Sequence, residues 1–214
     1  MSPDLAPLRP GERDEAAEVL AAAFRDNPLN RAVIGEPAAR RLRCNRFGSR
    51  TSLEVALGRA HCRVAREAGA IRAVLVAEPP GARPLPLPSL ATQLRCLLGQ
   101  GWRVARRWSH VHSELVRHHP VESHWYLDLL GALPDAQGRG LGTALLSELL
   151  ERVDADGASS YLETDRAANL PFYQRAGYVV VGSERVLGVR VWRMWRPPDG
   201  GSSSNSTEAE SDVR

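Results

Sequence analysis

The sequence predicts a mixed α/β fold, a sheet covered by helices on both faces. Three observations carry that prediction. Leu127 to Leu146, read LDLLGALPDAQGRGLGTALL, runs as strand, wide glycine-rich turn and helix start. Short apolar segments separated by turn residues stand on either side of it and read as hairpins. Between these lie stretches whose apolar residues recur at helical spacing.

The elements follow in order. Leu5 to Arg9 is a short strand. A helix from about Glu12 to Arg25 buries Ala16, Val19, Leu20, Ala23 and Phe24, and Asn27-Pro28 ends it. Residues 36 to 59 form an arginine-rich helical region interrupted at Gly48. Cys62 to Arg66 and Ala70 to Ala77 flank the turn at Ala68-Gly69 as a hairpin. The proline-rich stretch from Pro79 to Pro88 is an extended connector. Leu90 to Val116 reads as one long amphipathic helix, with Leu94, Leu97, Leu98, Trp102, Ala105 and Trp108 as its buried stripe. His124 to Ala132 is the central strand, and a helix from about Gly140 to Val153 follows the glycine turn. Ser159 to Thr164 is a strand, and Asn169 to Ala176 is a short helix ended by Gly177. Tyr178 to Ser183 and Leu187 to Trp195 close the sheet. One domain is expected over residues 1–197. Residues 198–214, rich in Gly, Ser and acids, are expected to be a disordered tail.

Composition narrows the function. A chain of 214 residues is long enough for a full core. It holds no run of about 18 apolar residues and no charged-then-apolar leader, so neither a membrane span nor a signal peptide is expected. Cys44, Cys62 and Cys96 are odd in number and lack metal-like spacing, which suits the reduced cytoplasm and buried small hydrophobes. All 28 basic residues are arginine, and the net charge is +3. The arginines between Arg40 and Arg66 lack interleaved aromatics and any groove-reading motif, so a solvated helix face is expected rather than a nucleic-acid surface. No metal is expected.

The glycine turn carries the first functional signal. A helix N-terminus leaves backbone N–H groups unpaired and partly positive, and glycines let the backbone approach an anion closely. A P-loop needs a lysine, and the chain has none. A dinucleotide fingerprint needs a third glycine where Thr143 stands, although Glu163 lies where a ribose-binding acid would sit. Gln137-Gly138-Arg139-Gly140-Leu141-Gly142 instead resembles the Q/R-x-x-G-x-G/A pyrophosphate loop of the GCN5-related N-acetyltransferase (GNAT) superfamily.

Further on, Leu162-Glu163-Thr164 and then Asn169-Leu170-Pro171-Phe172-Tyr173, with Gly177-Tyr178, resemble the second motif of that superfamily at the expected separation. Leu20 to Phe24 and Leu162 to Tyr173 resemble the corresponding segments of the puromycin N-acetyltransferases within it. The resemblance spans roughly residues 5 to 197 and is weakest between 30 and 120. It implies a largely antiparallel sheet with a central splayed strand pair, and acetyl-coenzyme A as co-substrate.

On this reading, the amides of Gly138 to Gly142, with Gln137, Arg139 and Thr143, hold the pyrophosphate. Leu130, Gly131 and Ala132, at the end of the splayed strand, pair with the pantetheine arm. Asn169 is a coenzyme contact or a helix cap, and Phe172 also belongs to the coenzyme site. Tyr173 is the general acid that protonates the leaving thiolate. Glu163 is the first candidate for the base that takes the ammonium proton. Glu122, His124, Asp128 and a water chain are its rivals. The expected acceptor is a small-molecule primary amine, with a homodimer left open. A catalytically silent coenzyme-binding sensor or scaffold is the alternative.

Overall fold

The computed structural model describes residues 3–83 and 86–198. The tail expected from residue 198 lies, past Pro198, outside the described residues, as do Pro84 and Leu85 of the proline-rich connector.

The strands are β1 (Asp4–Pro7), β2 (His61–Glu67), β3 (Ala70–Glu78), β4 (His124–Ala132), β5 (Ser159–Thr164), β6 (Val179–Val186) and β7 (Val189–Arg196). They form one sheet in the order β1-β2-β3-β4-β5-β7-β6. Every neighbouring pair is antiparallel except β4 and β5, which run parallel. The expected mixed, largely antiparallel fold is the one found.

Helices cover both faces. α1 (Arg13–Ala23) and α3 (Ala38–Ala56) seal one side of the sheet. There Ala16, Val19, Leu20 and Leu53 pack on Val64, Ile71, Val74 and Val76. α6 (Leu141–Ala155) and α7 (Leu170–Arg175) seal the other side, where Leu145, Leu149 and Tyr173 meet Ala73, Leu75 and Leu127. Successive residues of β3 thus enter opposite cores, which is why that strand is apolar on both faces. A third cluster joins α2 (Pro28–Ile34) to α5 (Trp102–Arg117) through Val33, Ile34, Val104 and Val111.

Gly131 sets the spacing between β4 and α1. A Cβ built there would stand 2.9 Å from the Ala23 Cβ and 3.3 Å from the Leu20 side chain. Gly131→Ala is therefore expected to push strand and helix apart and to cost about 1–3 kcal/mol of stability. Urea unfolding reads this directly, and an unchanged midpoint would mean that the packing is slack.

Three expectations about the helices are corrected. Pro28 does not simply end the first helix but starts α2, because proline suits the first helical turn, whose N–H groups have no intrahelical partner. α3 runs unbroken through Gly48, whose missing side chain leaves room for Gln100. The stretch from Leu90 to Val116 is two helices, α4 (Leu90–Gln100) and α5, broken at Gly101, whose φ of +85° no helix accommodates.

The stripe expected to be buried there is largely outside. Leu94, Leu98 and Trp102 are 56%, 77% and 60% exposed, whereas Thr92, Gln100, Val104 and Val111 are buried. The break at Gly101 lets each half turn independently. Thr92 then anchors α4 by donating from its hydroxyl to Glu54, which turns the leucines outward. Among the described residues no helix is long and apolar enough to cross a membrane.

The arginines after Arg40 are tied into the fold. Arg41 is buried, donates to the carbonyls of Arg25 and Gly35, and pairs with Asp26 and Glu36. Arg46, Arg50, Arg63 and Arg66 pair with Glu18, Asp14, Glu148 and Glu12.

Candidate active site

The site begins where β4 and β5 part. Their pairing covers only His124 to Tyr126 against Ser159 to Tyr161. Beyond Tyr126, β4 is bonded to β3 through Ala132, which leaves its other edge without a strand partner. Backbone groups in that position need another hydrogen-bonding partner. Leu130 and Ala132 are half-buried at this edge, and Gly131 is fully buried against α1.

A β-bulge lies at the divergence. Val76 pairs with Leu129 and Ala77 with Leu127, so Asp128 is the extra residue. The bulge shifts the alternation beyond it, so that Leu127 enters the α6 core while Leu129 packs on the α1 side. Asp128 faces a cavity of about 550 Å³, together with Tyr126, Glu163, Thr164, Asn169 and Tyr173. The far wall of this cavity is helical and includes Phe24, Asn27, Asn45, Cys96 and Trp108.

The glycine turn follows β4. Pro134 to Ala136 make one tight turn. Gly138 and Gly140 adopt φ of +77° and +82°, which glycine tolerates without strain. α6 then starts at Leu141, and its first intrahelical bond runs from the Ala144 amide to the Gly140 carbonyl. The amides of Leu141, Gly142 and Thr143 therefore project from the helix start without helical partners. The Leu141 side chain is buried in the core, so only its backbone faces outward, while Thr143 is exposed.

Two polar residues of the loop are already engaged. Gln137 donates from Nε2 to the Ala132 carbonyl at 3.1 Å. Arg139 meets Glu67 at 3.3 Å with its side chain 55% exposed. An exposed pair of this kind is weak, so Arg139 can exchange it for a phosphate at little cost.

Tyr173 and Tyr178 stand 6.0 Å apart, edge to face, but their hydroxyls have different surroundings. The Tyr178 hydroxyl shares a 2.6 Å hydrogen bond with Ser160. Tyr173 lines the cavity, and burial, with Tyr178 and Asp165 nearby, pushes its phenol well above the usual range. Phe172 packs on Tyr173 with ring centroids 5.0 Å apart. Asn169 lines the cavity and makes no side-chain hydrogen bond to the start of α7, so the capping alternative for it is not what the structure shows.

Glu163 is the penultimate residue of β5, its side chain is only 6% exposed, and its Oε1 is buried without a hydrogen-bond partner. Burial and the neighbouring Glu163 charge hold the Tyr126 and Tyr161 phenols above their ordinary values. Asp128 is raised to about 7 by burial and by the Glu78 and Glu163 charges, against the opposing pull of Arg83. Glu78 is itself buried and pairs with Arg83 at 2.7 Å, and the Arg83 guanidinium lies 3.9 Å over the Tyr126 ring.

Of the other proposed bases, Glu122 is exposed in the loop before β4, and His124 stands behind the cavity wall. Sequence reading missed His119, Trp108, Asn27 and Asn45, which reach the site from distant segments with no local motif to announce them. Cys44 and Cys62 are buried as expected, but Cys96 is half-buried on the cavity wall because α4 lies across it.

Residues 106–178, from α5 to the start of β6, match the acetyltransferase (GNAT) family. The fold resembles the histone acetyltransferase HPA2 and related acetyltransferase from Corynebacterium glutamicum, at 24% identity over 95% of this chain and 100% of that one, with a TM-score of 0.72. It also resembles the polyamine N-acetyltransferase of Drosophila melanogaster, which forms N-acetylagmatine (20% identity, 91% and 99% covered, TM-score 0.57). Arylalkylamine N-acetyltransferase 2 of Aedes aegypti is a third likeness (13% identity, 92% and 99% covered, TM-score 0.60). The structural likenesses show the fold, and the family match is confined to residues 106–178.

Proposed function

We propose that this protein transfers acetyl from acetyl-coenzyme A to a primary amine of a small molecule by direct attack. The observation that carries the reading is a convergence at one cavity. The unpaired edge of β4, through Leu130, and the Tyr173 ring line it together, and the glycine turn with the bare start of α6 follows β4 directly in the chain.

The chain's own groups suit each task. The amides of Leu141, Gly142 and Thr143, with Gly138, Gly140, Gln137 and Arg139, would hold the pyrophosphate. Leu130, Gly131 and Ala132 would pair with the pantetheine arm, with Asn169 and Phe172 beside it. Such pairing brings the thioester toward Tyr173, which protonates the departing sulfur. At the acceptor end, Glu163 and Asp128 attract the ammonium and Glu163 removes its proton, leaving the neutral amine that attacks. A cavity lined by the carboxylates of Asp128 and Glu163 suits a small cationic acceptor. The segments resembling the puromycin N-acetyltransferases agree with a small-molecule amine.

The test is coenzyme thiol release across a library of amines, paired with calorimetry of acetyl-coenzyme A binding. Turnover with at least one amine is expected. Binding without release for any amine would favour a silent sensor, and absence of binding would end both readings. Gly140→Ala adds a Cβ to open space at the helix start and strains a left-handed backbone. It is expected to raise KM for acetyl-coenzyme A by about tenfold or more, as steady-state kinetics would show.

A further inference from the structure

His119, in the loop before β4, bridges two groups that the proposed chemistry leaves apart. Its Nδ1 lies 3.9 Å from the Glu163 Oε1, and its Nε2 lies 3.1 Å from the Nε2 of His124. His124 in turn places Nδ1 2.6 Å from the Glu122 carbonyl oxygen, in an exposed stretch of that loop. Four ring nitrogens thus stand between the carboxylate and the Glu122 carbonyl.

The bonding roles follow from what each atom can do. A carbonyl only accepts, so Nδ1 of His124 carries the proton of that bond. Neutral His124 then has a bare Nε2, which accepts from Nε2–H of His119. Neutral His119 is left with a bare Nδ1, turned toward Glu163. The chain of donors and acceptors therefore has a direction, with its open acceptor end at the carboxylate.

We propose that His119 and His124 form a two-imidazole relay that carries the proton collected by Glu163 out of the site to the 118–123 loop. The inference rests on Glu163 acting as the base. A small torsion of the carboxylate closes the 3.9 Å gap. The O–H bond of Glu163 then breaks as N–H forms at Nδ1 of His119. The Nε2–H of His119 breaks as N–H forms at Nε2 of His124, and the Nδ1 proton of His124 leaves to water beside the Glu122 carbonyl. One proton enters and one departs, and exchange with solvent restores the starting tautomers. An acceptor filling the cavity would block the direct path to bulk water, so a back exit serves turnover.

The surroundings agree with transfer rather than storage. Glu163 and Tyr161 face the pair from β5, Tyr126 from β4 and Trp195 from β7, and Arg193 of β7 donates to the carbonyl of the neighbouring His118. Arg83 and Glu122 act from the connecting loops. Burial, with the charges of His119 and Arg83, outweighs the Glu122 carbonyl and Glu163 and holds His124 below its ordinary value. A proton arriving there at neutral pH is released rather than retained.

The rings also pack together, with His119 centred 5.0 Å from each of His124, Tyr126 and Tyr161, so a purely structural role must be separated from a relay. His119→Phe keeps the ring and removes both nitrogens. Its kcat is expected to fall about tenfold or more at pH 7 with KM for acetyl-coenzyme A unchanged, while His119→Ala, which vacates the ring's space, is expected to be partly rescued by added imidazole. Nitrogen-15 NMR of the wild type should show the proton on Nδ1 in His124 and on Nε2 in His119. A pH–kcat profile of H119F that superimposes on the wild type, or the opposite tautomers, would overturn the relay alone. A wild type that acetylates no amine removes the underlying reading, and the relay with it.

Discussion

Tyr173→Phe is expected to lower kcat by about a hundredfold or more while leaving acetyl-coenzyme A affinity within about twofold, because a positioned general acid contributes on that scale. The phenol is protonated throughout the physiological range, since burial pushes it well above its ordinary value. A high value alone would make it a reluctant donor. The departing thiolate, however, would form in the same partly buried cavity, where desolvation disfavours its charge as it disfavours the phenolate. The two rise together, so the transfer stays near balance.

The substitution is clean because phenylalanine retains the packing of the ring on Phe172 and Tyr178. Tyr178→Phe is the natural comparison. Its hydroxyl is bonded to Ser160 rather than turned to the cavity, so its loss is expected to affect stability more than turnover. Saturating-acceptor kinetics with thiol detection would separate the two variants. An unchanged kcat for Tyr173→Phe would remove the phenol as the acid and leave the sulfur to be protonated by water.

The parts of this architecture that were legible in the sequence are those encoded locally. β4 falls at His124–Ala132 as its apolar run indicates, and the glycine turn leads into α6 because three glycines and a helical period stand side by side. What escaped depends on distant contacts. Leu94, Leu98 and Trp102 have a proper helical period, yet the bend at Gly101 and the Thr92–Glu54 bond turn them outward. Periodicity reports that a helix has two faces, and tertiary contacts decide which one is covered. The bulge at Asp128 is equally silent in sequence, since it arises from the register against β3. His119 lies 44 residues from Glu163, and no local pattern joins them. The residues proposed to hold the coenzyme stand in local motifs, while those proposed for the acceptor come from segments that share only a location.

Asp128 ties the acceptor side to the stability of the fold. In an unfolded chain its carboxyl ionises near ~3.9, whereas in the folded protein it ionises at about 7. Between these values the folded protein keeps a proton that the unfolded chain has lost. Stability is therefore highest below the lower value, declines as pH rises through the interval, and levels off above about 7. Asp128→Asn keeps the shape and removes the titration. At pH 8 the variant is expected to be more stable than the wild type by about 2 kcal/mol or more, with the difference shrinking toward pH 4. Thermal melts across this interval test the sign, and a destabilised variant at pH 8 would refute it. The same substitution should raise KM for the amine by about tenfold to a hundredfold, since it removes one of the two carboxylates proposed to draw the ammonium into the cavity. An unaltered KM would place the cation elsewhere. A buried charge that costs the empty fold stability and is neutralised by the acceptor is a means of binding cations selectively. Neutral amines would gain nothing from Asp128, and the variant should discriminate less between charged and uncharged acceptors.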